Sequence, residues 1–106
     1  MFASNFTIDD KYLTHERGQD NMTIFSQKKT IGSGMTMSNY FCKTCGTLMY
    51  RVGEAFPGYS ILRIGTVDDF TLMETKLKPQ IQQFNKDRTS WVNTIEGAKQ
   101  ADGMGF

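Results

Sequence analysis

The chain has 106 residues, 39% of them apolar and 22% charged, with 12 Lys and Arg set against 11 Asp and Glu. Such a length fits one small domain with a modest core, and the composition is that of an ordinary globular chain. A charge balance this even predicts no nucleic-acid partner, and no apolar run is long enough to span a bilayer, so no membrane association is expected.

Short segments rich in β-formers alternate with turn residues along most of the chain, which predicts a mainly β domain of short antiparallel strands. Phe2 to Ile8 reads as a first strand closed by Asp9-Asp10, and Tyr12 to Glu16 as a second, ended by Gly18. Met22 to Gln27 is the next strand. Met22, Ile24 and Ser26 should face one side of it and Thr23, Phe25 and Gln27 the other. An exposed connection through Lys28-Lys29 and Gly32-Ser33-Gly34 leads to a strand from Met35 to Phe41. Leu48 to Val52 should pair back on it as a hairpin. Pro57-Gly58 predicts a type II turn, with glycine supplying the positive φ.

Ser60 to Ile64 is the best-patterned strand, because Ile61, Leu62 and Ile64 are all apolar. Phe70 to Met73 reads as a helical turn capped by Asp68 or Asp69, and Gln80 to Phe84 as an edge strand after Pro79. Trp91 and Val92 are expected to pack against the domain, with Trp91 as core or pocket wall. Seven Met and eight Phe predict an adaptable apolar core. The domain is expected to run over residues 1–95, and the glycine-containing stretch 96–106 to form a flexible tail.

The chemistry concentrates in Phe41-Cys42-Lys43-Thr44-Cys45-Gly46, which holds both cysteines of the chain. Two thiolates at this spacing on a tight turn can meet one metal ion, and Gly46 permits the backbone geometry that brings N–H groups toward the sulfurs. The metal-site candidates are therefore Cys42 and Cys45, as half of a structural zinc site. A redox pair is a competing reading, although that motif should open a helix, which Gly46 disfavours. Two reduced cysteines without a ligand are the third. A secreted disulfide scaffold would use more cysteines, spread along the chain, so a reducing, cytoplasmic setting is expected. The start, Met1-Phe2-Ala3-Ser4-Asn5, has no basic stretch followed by a long apolar one, and no signal peptide is expected.

The ordered set of motifs resembles the glutathione-dependent formaldehyde-activating (GFA/CENP-V) family, its fungal members in particular. Tyr40-Phe41-Cys42-x-x-Cys45-Gly46-Thr47-Leu48 is similar to the family's second cysteine motif. Pro57-Gly58 and Ile64-Gly65-Thr66-Val67-Asp68-Asp69 follow, then Lys76-Leu77-Lys78-Pro79, Gln83-Phe84 and Arg88-x-x-Trp91, in the family's order. Ser4-Asn5-Phe6 and Gly32 to Gly34 resemble the segment before that motif.

The resemblance implies a β-tent fold of antiparallel sheets over zinc. It also implies a carbon–sulfur lyase type of activity that joins formaldehyde to glutathione as S-hydroxymethylglutathione. Family members carry a Cys-x-Cys and a further cysteine cluster ahead of the segment that Met1 to Asn5 resembles, and here no cysteine precedes Cys42. The resemblance therefore assigns Cys42 and Cys45 to the second half of the structural zinc site and leaves the catalytic cluster without a counterpart. No catalytic residue is assigned. The expectation is a shortened member with little or no turnover alone, with glutathione or its adduct as ligand. The alternative expectation is a non-catalytic zinc-knuckle or interaction module, with a homodimer held by shared zinc as one form of it.

Other candidates have plainer readings beside the functional ones. His15 reads as a surface residue, with a third metal ligand as the alternative. Asp68-Asp69 reads as a turn and helix cap before a carboxylate pair. Lys28-Lys29 and Lys76-x-Lys78 read as solvated faces before anion sites. Arg63, between Leu62 and Ile64, points either to a cleft or to water.

Overall fold

A computed structural model describes residues 2–105. Its centre is one five-stranded antiparallel sheet built from β1 (Asn5–Asp9), β2 (Met22–Gln27), β3 (Met37–Cys42), β4 (Leu48–Gly53) and β5 (Tyr59–Arg63). The order across it is β1-β5-β4-β3-β2, so β1 and β2 are its two edges. The all-β, antiparallel class is the one the strand pattern predicts.

The hairpin between β3 and β4 is present, with Tyr40 opposite Tyr50 and Phe41 opposite Leu48, and the register shifts between Tyr40 and Phe41. That irregularity takes up the extra residue Met49 just as the chain enters the cysteine turn. In β2, Met22, Ile24 and Ser26 lie opposite Cys42, Tyr40 and Ser38, and the alternate set lies opposite Phe41, Asn39 and Met37, so the two faces divide as the alternation requires. The Pro57-Gly58 turn closes through a Tyr59 N–H to Phe56 carbonyl bond of 3.3 Å, with Gly58 at φ +84°.

Several elements differ from expectation. Residues 12–16 do not form a strand. Asp9 accepts from the Lys11 N–H and starts a 3-10 turn over Asp10–Tyr12, because a short carboxylate side chain competes locally for the backbone. The first strand begins at Asn5, and the fifth ends at Arg63, where Ile64–Thr66 turns into a 3-10 helix. The helical turn is α1 (Thr71–Glu74), and Asp69 accepts from both the N–H and the hydroxyl of Thr71.

The expected edge strand shrinks to β6 (Ile81–Gln82). It pairs in parallel with β7 (Lys99–Gln100), a pairing the long connection between them permits. Residues 99–103 are held there by further backbone bonds, including Ala101 N–H to the Gln82 carbonyl at 2.9 Å.

The core is smaller than the methionine and phenylalanine content suggests. Among the described residues, only Met37 and Ile64 are buried apolar side chains. Trp91, expected as core or pocket wall, is 65% exposed, and Phe2, Phe70 and Phe84 are exposed too. A sheet buries its apolar face only against a second layer, and here the helices and the β6–β7 pair are too short to supply one. Among the described residues, no helix is long and apolar enough to cross a membrane.

Candidate functional site

Cys42 closes β3, and Cys45 lies in the turn that leads to β4. The turn is fixed by its backbone: the Gly46 N–H donates to the Cys42 carbonyl at 2.8 Å, and the Cys42 N–H to the Thr47 carbonyl at 2.9 Å. Gly46 sits at φ +76°, the left-handed region that an L side chain enters at a cost. The strand β2 supports the turn from the side. The carbonyl of Asn21, just before β2, accepts from the Lys43 N–H at 3.0 Å, and its side-chain amide donates to the Thr44 hydroxyl at 3.0 Å. The same amide lies 3.9 Å from the Cys42 sulfur.

Both cysteines are free, Cys42 half-buried and Cys45 exposed. The Cys45 sulfur lies 3.1 Å from the Thr47 hydroxyl. Hydrogen bonds from that hydroxyl, then from the Thr47 N–H, then from the Cys42 thiol lower the Cys45 pKa below the ordinary thiol value.

Among the described residues, no group of three or more His, Cys, Asp and Glu side chains converges as a metal site. His15, the outside candidate for a third ligand, is exposed and engaged elsewhere: its Nε2 lies 3.1 Å from the Tyr50 hydroxyl. Tyr50 in turn stacks on Tyr40 at 4.5 Å, and burial, then the neighbouring Tyr40 and Asp10, push its pKa up. Asp68 and Asp69 are both exposed, and Asp69 is spent on α1, its Thr71 bonds lowering its pKa. Lys28, Lys29, Lys76 and Lys78 are exposed. A groove of about 520 Å³ opens beside Thr36, Ser38, Val52 and Glu54, at the end of the β3–β4 hairpin opposite the cysteines.

Arg63 is half-buried on β5, and its Nη1 donates to the Asn5 side-chain oxygen at 2.7 Å. The sequence reading passed over Arg51, Asn21 and Thr47. Arg51 carried the same signal as Arg63, a charged residue inside an alternating apolar strand. Thr47 stands two residues from Cys45, so its contact is local to the cysteine turn, whereas Asn21 carried no signal, because its role depends on strands distant in sequence.

The family model for the glutathione-dependent formaldehyde-activating enzyme matches residues 1–87. No curated protein and no solved structure matches the chain.

Proposed function

The chain belongs to the glutathione-dependent formaldehyde-activating enzyme family, and on that footing we propose that it handles formaldehyde as its glutathione adduct. The ligand class is glutathione or S-hydroxymethylglutathione, and the reaction class is formation or cleavage of the carbon–sulfur bond between them. The family match over residues 1–87 carries this reading. A cytoplasmic setting, where thiols stay reduced, goes with it.

Zinc is the metal this family implies, and the residues present fit half of it. Two free thiols on one turn, one of them receiving an N–H bond at sulfur, are the soft donors that zinc takes. A structural zinc needs four ligands, and among the described residues no third donor stands with these two. Cys42 and Cys45 would each supply one thiolate, the remaining ligands coming from a second chain or a partner. The chain alone is then a binding scaffold without turnover of its own.

The second reading, a non-catalytic zinc-knuckle or interaction module that forms dimers, is favoured by one observation. Ile24 and Phe25 are 56% and 58% exposed on the edge strand β2, where side chains and unpaired backbone groups are both open to a partner. Calorimetric titration of the purified chain with reduced glutathione separates the two. Saturable binding supports the glutathione reading, and its absence up to millimolar ligand leaves the interaction module.

A further inference from the structure

Arg51 and Arg63 lie on one face of the central sheet. Arg51 on β4 is directly opposite Ile61 on β5, and Arg63 follows two residues later on that strand, so its side chain emerges on the same side. Each guanidinium is held by a neutral partner on the next strand: Arg51 Nε donates to the Asn39 oxygen at 2.7 Å, and Arg63 Nη1 to the Asn5 oxygen at 2.7 Å. Asn39 is opposite Arg51, and Asn5 opposite Arg63, so four polar side chains share that face.

The arrangement orients the two cations without neutralising them. Among the described residues, the only ion pair is Lys11 with Asp9, although the chain carries 11 acidic residues. Both arginines are half-buried. Burial, then the nearby charge of Arg51, lower the Arg63 pKa, so the two guanidiniums feel each other. Half-buried, mutually repelling cations with no counter-charge cost stability, and a protein ordinarily pairs them. A guanidinium has five N–H donors in a planar fork that matches a carboxylate, and one on each arginine is engaged by asparagine.

We propose that the Arg51–Arg63 face is a carboxylate-binding site, which takes a carboxylate group of the glutathione adduct. The choice of glutathione rests on the function proposed above. The carboxylate chemistry rests on the arginine pair itself. Glutathione carries two carboxylates, at the ends of an extended tripeptide, and an open sheet face suits such a ligand. The cysteine turn is separate from this site, since Cys42 shares its face with Tyr40 and not with Asn39. The site therefore holds the peptide and has no part in the chemistry at sulfur.

The test is an amide-shift titration of the isotope-labelled full chain with S-methylglutathione, whose blocked sulfur cannot engage the cysteine turn. Parallel titrations use its dimethyl ester, acetate and inorganic phosphate, and each is repeated on Arg51→Gln and Arg63→Gln. Amide spectra of the variants, matching the parent away from the substitution, establish that they fold. The expected result is shifts centred on Asn5, Asn39, Arg51 and Arg63, with affinity lowered roughly tenfold in each variant and for the ester. S-methylglutathione that binds with equal affinity to parent and variants overturns the arginine site and leaves the glutathione reading standing. Acetate shifting these amides while S-methylglutathione does not sinks the glutathione reading and keeps the carboxylate site. Phosphate binding more tightly than either carboxylate ligand overturns the assignment of ligand class.

Discussion

Tyr40 and Tyr50 face each other across β3 and β4 with their rings stacked at 4.5 Å and 15°. The pair bridges the two strands that flank the cysteine turn, in a sheet whose buried core is small. Stacked aromatic pairs contribute about 0.5–1.5 kcal/mol beyond the area they bury. Tyr50→Ala should therefore destabilise the fold by about 2 kcal/mol, while Tyr50→Phe, which keeps the ring and loses only the His15 contact, should cost under about 1 kcal/mol. Urea denaturation of both variants measures the difference. Equal losses would show that the hydroxyl contact, not the stack, holds the hairpin.

The Cys45 thiol should be the more reactive of the two. Its pKa is lowered by the Thr47 hydroxyl, the Thr47 N–H and then Cys42, so its thiolate fraction near pH 7 exceeds that of an ordinary exposed cysteine. Alkylation by iodoacetamide, followed by peptide mapping, should mark Cys45 before Cys42 in the metal-free chain. Thr47→Val removes the hydroxyl that stabilises the thiolate most and should move the pH midpoint of Cys45 alkylation upward. An unchanged midpoint would count against the hydroxyl as its source.

Raising the pH should cost stability through Tyr50. Its folded pKa is raised above its unfolded value by burial first. The unfolded chain therefore gives up this proton first, and Tyr50 favours folding fully only below the unfolded pKa, near 10. Its contribution is lost as pH rises through the folded value. Thermal melts from pH 8 upward should fall more steeply for the parent than for Tyr50→Phe. Parallel curves for the two would contradict this.

Gly58→Ala isolates a backbone effect. Gly58 has φ +84°, and a Cβ there meets nothing within 4 Å, so the substitution is unopposed by neighbours. The left-handed conformation alone should cost about 1–2 kcal/mol. A denaturation midpoint unchanged from the parent would mean that the turn between β4 and β5 relaxes to another type.

How far the fold was legible follows from the range of the interactions. The alternation in β2 and the Pro57-Gly58 turn are local signals, and each appears as its residues require. The stretch 12–16 misled because its alternation is outweighed by the Asp9 side chain, which bends the backbone into a 3-10 turn. Trp91 misled for a different reason: an aromatic side chain states only that burial is favourable, and the described residues leave it 65% exposed. At the cysteine turn the spacing identified the two sulfurs, while Asn21, 21 residues before Cys42 in the chain, was invisible until β2 and β3 were paired.

Zinc stoichiometry tests the half-site. Two thiolates leave two positions of a tetrahedral ion to other donors, which forfeits much of the roughly 10–16 kcal/mol of a complete site. Bound zinc should not exceed half an equivalent per chain. Where it reaches half, sizing chromatography should show a dimer that a chelator dissolves. One tightly held zinc per monomer would show that other residues of the chain complete the site.

The most direct test of the account is the rate at which formaldehyde adds to glutathione, followed by exchange spectroscopy with the purified chain, zinc present and then chelated. The rate should be the spontaneous one in both conditions, with glutathione bound but not turned over. A rate above the spontaneous one, abolished by the chelator, would contradict it.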